Sequence, residues 1–461
     1  MSIEYAFAVP HPPLIIPEVG RGEQHSIQQT IDAYETAGRQ IAALAPETVV
    51  IVTPHSVLYS DYIHISPGDF AEGDLSRFGA PQVSLRKSYD TELVRAICEQ
   101  AEAAGISAGT RGEKDKRLDH GALIPLYFIE RYFSDYMVVR ISLSGLSALE
   151  HYRFGKCIRQ AVECIGRRVV LVASGDLSHK LTSEGPYGYA PEGPEFDTQL
   201  TQALREADFM RLLRFDEGFT EKAAECGLRS FIIMTGALDG RDVNAEMLSY
   251  EGPFGVGYAV FSFTAGNQNA NRQFEKKYLE EERLKIEKMK HGEDAFVRLA
   301  RESLETYVKT GHATRRPGVL PAELNDKRAG VFVSLKKHGQ LRGCIGTISA
   351  TEPSIADEII RNAVSAGTDD PRFDPVTEGE LPELVYSVDV LGDAEPVSSM
   401  ESLDPKRYGV IVSHGYRRGL LLPNLEGIDT ARQQVSIALK KAGISTEEKY
   451  SLERFEVVRH R

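Results

Sequence analysis

Among the residues of this 461-residue chain whose types bind metals and move protons, five stand out by their placement: His11, His55, His120, His179 and Glu251. "AVPHPP" runs an apolar stretch through Pro10 to His11, and "VVIVTPHS" does the same through Pro54 to His55. "LDHGALIPL" sets His120 beside Asp119, ahead of Gly121 and an apolar helix. "VVLVASGDLSHKL" ends a strand-like run in a small-residue loop carrying Asp176 and His179, and "SYEGPFGVGYAVF" places Glu251 at a hairpin turn. Taken singly, each has a plain reading as a turn histidine, a helix-start loop or a solvated glutamate. Taken together, three histidines at strand ends could converge with His120 and Glu251 on one mouth of a sheet. Two histidines and a carboxylate form a facial set with open positions, which suits non-heme Fe(II). The same donors suit catalytic Zn(II), and spacing alone does not choose between them.

The elements that must position these residues are legible in the hydrophobic pattern. Strand-like runs occur at 4–9, 48–53, 61–66, 137–143, 168–173, 243–249 and 256–263, with helical patterns at 24–44, 90–105, 147–164, 195–213 and 228–238. Such alternation predicts an α/β fold, a mixed central sheet flanked by helices. In these sheets functional groups gather beyond the carboxyl ends of strands, where His11 and His55 are expected. Polar residues dominate from about 265, followed by a charged helical stretch, so the expected boundaries are a first domain at 1–266, a charged linker or helix at 267–292 and a smaller α+β domain at 293–461. In that last part, strands are expected in "AGVFVSL", "LVYSVDVL" and "YGVIVSH", and helices at 293–309, 353–366 and 429–441.

With 54 basic against 67 acidic residues and a net charge of −13, nucleic acid and anionic membrane are disfavoured as partners. No apolar run reaches the ~20 residues needed to span a bilayer. The amino terminus lacks the pattern of a signal peptide. Five cysteines without metal-motif spacing point to reduced thiols, and the expected location is cytoplasmic.

The ordered set "AVPHPPLIIPE", "TPHS", "LDHG", "SGDLSHK" and "SYEGPFGVGY" resembles the class III extradiol ring-cleaving dioxygenases, and within them the Memo-like branch. That resemblance implies metal binding by His11, His55 and Glu251, with His179 as the acid/base histidine and His120 as a second active-site histidine that contacts substrate. Asp176 would orient His179 or help bind substrate. Eukaryotic Memo-like proteins generally carry a cysteine in place of the dioxygenase carboxylate, and Glu251 is expected to restore the carboxylate here. The implied activity is a metal-dependent oxidoreductase using Fe(II), or alternatively Zn(II), on a small catechol-like or aminophenol-like molecule. Two other readings are a zinc hydrolase or lyase and a metal-binding scaffold without turnover.

The last part of the chain resembles the AMMECR family through "GQLRGCIGTI", "NAVSAGTDDPRF" and "GVIVSHGYRRGLLLPNL". A Memo-like unit fused to an AMMECR-like unit resembles two components of the AmmeMemoRadiSam system, which implies a radical SAM enzyme as a third component. Within "RGCIGT", Cys344 reads either as a thiol tuned by Arg342 and Arg372 or as a small residue in a tight strand bend.

Overall fold

The strand Thr48–Thr53 is buried at all six positions, which requires cover on both faces and pairing on both edges. The computed structural model, which describes residues 3–112, 117–425 and 427–461, supplies both. We number the strands of its main sheet β1 (Tyr5–Val9), β2 (Thr48–Thr53), β3 (Met137–Ser142), β4 (Val169–Ser174), β5 (Arg241–Glu251) and β6 (Tyr258–Gln268). Their spatial order is β3-β2-β4-β1-β6-β5. Strands β1 to β4 pair in parallel, so the carboxyl ends of β2, β4 and β1 emerge side by side. Strand β6 is antiparallel to β1, and β5 is antiparallel to β6. The carboxyl end of β5 therefore reaches the same edge of the sheet, two strands away from β1.

Alternation along the strands divides the core in two. Val50 and Val52 join Ala6 and Ala8 on one face, while Val49 and Ile51 join Phe7 and Val9 on the other. Helices α1 (Gln28–Leu44), α2 (Thr91–Ala103), α3 (His120–Glu130), α4 (Ala148–Ile165), α5 (Glu192–Arg205) and α6 (Leu228–Ala237) cover these faces. Tyr34 of α1 stacks on Phe128 of α3 at 4.3 Å on the β1 Phe7 side. Phe154 of α4 and Phe231 of α6 belong to the opposite face. Burial of such rings is the main stabilising term, about 1.5–3 kcal/mol for a fully buried phenylalanine.

The chain divides into two compact units, Met1–Tyr278 and Leu279–Arg461. The stretch 267–273, expected to begin a linker, instead completes β6 and forms a 3-10 turn at Ala270–Arg272. Helix α7 (Phe274–Gly292) follows. Its first residue is core: the Phe274 ring is 5.9 Å from that of Phe209, and its N–H donates to Asp239 Oδ1 at 2.8 Å. Glu275 is held by Arg153 at 2.6 Å and by Lys156.

The second unit contains α8 (Ala295–Thr310), α9 (Ile355–Thr368) and α10 (Ala431–Ala442). Its strands are β7 (Val331–Lys337), β8 (Gln340–Gly346), β9 (Leu384–Leu391), β10 (Glu395–Val397), β11 (Gly409–His414), β12 (Arg417–Leu421), β13 (Ser451–Phe455) and β14 (Val457–His460). They form two antiparallel sheets, ordered β8-β7-β9-β14 and β10-β13-β11-β12. Leu299 and Leu304 of α8 and Ile359 of α9 pack on Val333 and Leu335 of β7. Among the described residues, no helix is long and apolar enough to cross a membrane.

Phe274→Ala should lower the stability of the first unit by about 3 kcal/mol, as loss of a buried ring does. Lys276→Ala, at an exposed position of the same helix, should change it by less than about 0.5 kcal/mol. Urea unfolding of both variants checks this, and equal midpoints would mean that Phe274 is not core.

Candidate metal centre

Three adjacent strand ends build the centre. His11 lies just beyond β1, and its Nδ1 faces the Oγ of Ser174, the last residue of β4, at 2.9 Å. Its backbone N–H donates to Asp176 Oδ1 at 2.8 Å. With ring and backbone held from the β4 side, its Nε2 meets Nε2 of His55, beyond β2, at 2.9 Å. The His55 ring stacks on His120 with centroids 4.2 Å apart. His120 opens α3, whose N-cap Asp119 accepts from Ala122 N–H at 3.1 Å and from Thr53 Oγ1 at 2.5 Å. Gly121 permits this approach, since a Cβ there would lie 2.5 Å from Thr53 Oγ1. A cleft of about 630 Å³ reaches His55 and His120, with Phe78 edge-on to His120 at 5.2 Å.

The remaining donor is Cys226, which the sequence reading did not single out. It sits immediately before Gly227 and α6. A Cβ on Gly175 would lie 2.1 Å from the Gly227 Cα, so two glycines allow the loop after β4 to touch the turn before α6. Across that contact, Cys226 N–H donates to Asp176 O at 3.4 Å and Asp176 N–H donates to the Cys226 sulfur at 3.3 Å. The sulfur lies 3.7 Å from His11 Nε2. His11, His55 and Cys226 thus offer donor atoms all within 4.8 Å of one another. A second set, Asp176, His179 and Cys226, shares the same sulfur. His179 Nδ1 is bonded to Ala224 O, and its Nε2 lies 3.9 Å from Asp176 Oδ2.

Glu251 belongs to neither set. Its Oε1 accepts from Thr30 N–H at 2.6 Å and Thr30 Oγ1 at 2.7 Å, in the first turn of α1. A carboxylate is favoured there by unpaired N–H groups and the positive end of the helix dipole. The physical reason is strand order. Glu251 ends β5, separated from β1 by β6, and two strand spacings amount to about 10 Å. The third group within reach of His11 and His55 is thus the Cys226 thiol, and the Glu251 carboxylate is engaged by Thr30. A signal was present in the sequence: "ECGLRSFIIM" repeats the grammar of "DHGALIPL", an acid, a donor residue, glycine and an apolar helix.

Burial sets the protonation of the centre. It lowers His11 well below the ordinary imidazole value, aided by His55, His120 and His179. Burial also lowers His55 and His179, and takes His120 down to about 4. The Cys226 thiol is pushed well up by burial first, then by Asp176 and Glu225. Asp176 rises to about 7 through burial, moderated by the His11 N–H. Neutral imidazoles and a thiol are a fitting donor set for a cation, because they offer lone pairs and one displaceable proton. Ser174 gives His11 the outer partner that orients a metal-binding imidazole.

In the second unit, Cys344 on β8 receives a bond from Ser334 Oγ at 3.2 Å, and its N–H donates to Asp370 at 2.8 Å. Arg372 grips Asp370 with two bonds, at 2.9 and 2.6 Å, and donates to Cys344 O at 3.3 Å. Arg342 is committed to Glu380 at 2.9 and 3.1 Å. Arg372 is thus beside Cys344, while the Arg342 guanidinium is occupied elsewhere.

The family model for the catalytic LigB subunit of aromatic ring-opening dioxygenase matches residues 5–261, more than half of the chain. The chain belongs to that family. The AMMECR1 family model matches residues 297–460, so a LigB-type domain is fused to an AMMECR1 domain. A protein of Clostridium acetobutylicum is 44% identical over 469 residues, spanning 100% of both chains. A protein of Thermotoga maritima is 48% identical over 172 residues, covering 37% of this chain and 99% of its own. The crystal structure of an uncharacterized protein from Pyrococcus horikoshii matches 36% of this chain and 88% of its own, with 32% identity and a TM-score of 0.34. That of an Escherichia coli K12 protein matches 56% of this chain and 99% of its own, with 16% identity and a TM-score of 0.39.

Cys226→Ala should abolish tight metal binding, whereas Glu251→Gln should leave it within about threefold, because only the first removes a donor. Metal titration of both variants decides this, and the reverse outcome would restore the carboxylate ligand. Zn(II) added at pH 8 should also release about one proton per ion, from Cys226, since the imidazoles are already neutral. An indicator-dye titration measures it, and undiminished release from Cys226→Ala would contradict the assignment.

Proposed function

We propose that the first unit is a metal-dependent oxidoreductase that opens a small aromatic ring bearing adjacent hydroxyl, or hydroxyl and amino, groups. The observation that carries this reading is the convergence of His11, His55 and Cys226 at the carboxyl edge of a LigB-type sheet. When bound there, Fe(II) supplies redox chemistry toward O2 and a positive charge that acidifies a bound hydroxyl.

The protein's own residues handle binding and proton movement. His179 Nδ1 faces a carbonyl oxygen, so the proton sits on Nδ1 and Nε2 is left as the acceptor. Burial keeps that imidazole neutral at pH 7, ready to take a proton from a substrate hydroxyl. Asp176 Oδ2, 3.9 Å from Nε2, pairs with the imidazolium that results when its own carboxyl is ionised. His120 remains neutral down to about pH 4 and can hydrogen-bond to substrate without carrying charge. Asp119 holds His120 at the start of α3, so the imidazole is positioned before any ligand arrives.

One observation favours a second reading. A thiolate among the donors is softer than a carboxylate and suits Zn(II), whose chemistry at such a site is hydrolysis or elimination with no use of oxygen.

Metal analysis of protein never exposed to chelator, followed by oxygen-electrode assays with catechols, tests the proposal. Iron with oxygen uptake and ring opening is the expected result, and zinc with oxygen-independent turnover would replace it by the second reading. His179→Gln should keep its metal and lose about 100-fold in turnover. In the unsubstituted protein, turnover should fall as pH drops through a value below the ordinary imidazole 6.5, because only neutral His179 accepts a proton. Loss of metal from His179→Gln would make His179 a ligand instead.

A further inference from the structure

Among the described residues of the first unit, the large apolar side chains left exposed are Leu58, Tyr187, Tyr189 and Tyr250. All four stand at the carboxyl edge of the sheet. Leu58 follows β2, Tyr187 and Tyr189 follow β4, and Tyr250 lies next to the end of β5. Exposed apolar surface concentrated around one site, and absent from the rest of a unit, is a mark of binding.

Tyr187 differs from the other three in what it touches. Its ring is 61% exposed, yet it meets the His179 imidazole nearly at a right angle, with centroids 5.1 Å apart. The loop that presents it is tied at the neck. Leu181 and Tyr189 form a β-bridge, Ala190 N–H donates to Lys180 O at 3.2 Å, and Leu181 N–H donates to Gly255 O at 3.0 Å. Among the described residues, the Tyr187 hydroxyl makes no hydrogen bond, so polar anchoring does not account for its place. Its ring contact is with the proton-transfer imidazole itself, and most of the residue remains uncovered.

We propose that Tyr187 is the ring-binding residue of the centre, offering its aromatic surface to a planar aromatic ligand beside His179. The proposal rests on the reading of an aromatic ligand at the metal. An aromatic ring fixed on a tethered loop gains contact area at small entropic cost, and stacked or edge-on ring pairs are favourable beyond their buried area. Tyr189, 58% exposed on the same loop, makes no ring contact with His179 among the described residues and serves as the internal control.

Full-length protein loaded with redox-silent Zn(II) is titrated without air with 4-nitrocatechol, and Kd is read from the absorbance change. Tyr187→Ala should raise Kd about five- to tenfold, Tyr187→Phe should stay within about twofold, and Tyr189→Ala should also stay within about twofold. Zn(II) affinity should be unchanged in all three, which separates ring binding from damage to the centre. If Tyr187→Ala binds the probe like the parent, or Tyr189→Ala loses as much, the assignment of Tyr187 is overturned while the aromatic reading stands. If the parent itself binds Zn(II) but no nitrocatechol, the aromatic reading falls and takes the assignment with it.

Discussion

The parallel pairing of β2, β4 and β1 is the constraint on which the rest of the first unit depends. Parallel neighbours all end at the same edge, so the residues that follow them are delivered within reach of one another. Val9 is paired with Ser174 and Val52 with Ala173, which places His11, His55 and the Asp176–His179 loop on three neighbouring exits. A slip of one residue would turn each strand over and send His11 to the wrong side of the sheet. Burial of alternate residues against different helices resists such a slip, so the packed core and the chemistry share one determinant.

What the strands deliver, the glycines complete. Close contact of Gly175 with Gly227 draws a segment that is not part of the sheet against the loop after β4, and a sulfur enters a group of imidazoles. Gly121 does the same for His120. In both places any side chain would have to displace backbone or a bonded hydroxyl. The donor atoms are thereby held in place by backbone packing, with little dependence on flexible side-chain reach.

Much of this was legible in the sequence, and the misses have physical causes. Runs such as "TVVIVT" and "VVLVAS" show themselves because strands covered on both faces tolerate few polar residues. His11, His55 and His179 could be placed at strand ends for the same reason. Glu251 was misplaced because a hairpin turn looks the same in the middle of a sheet as on its edge, and only pairing order reveals the distance. Cys226 was hidden because no strand announces it; its position depends on a contact between glycines 52 residues apart. The stretch before Phe274 reads as a linker because the end of an exposed strand is polar, and the packing that follows begins only at Phe274.

The three donors differ in their access to solvent. His11 is buried, Cys226 half-buried and His55 exposed at the mouth. A cation held by these three groups would have its open side at His55 and its closed side at His11. A chelator in solution would therefore meet such an ion from the His55 side, with the buried imidazole farthest from it.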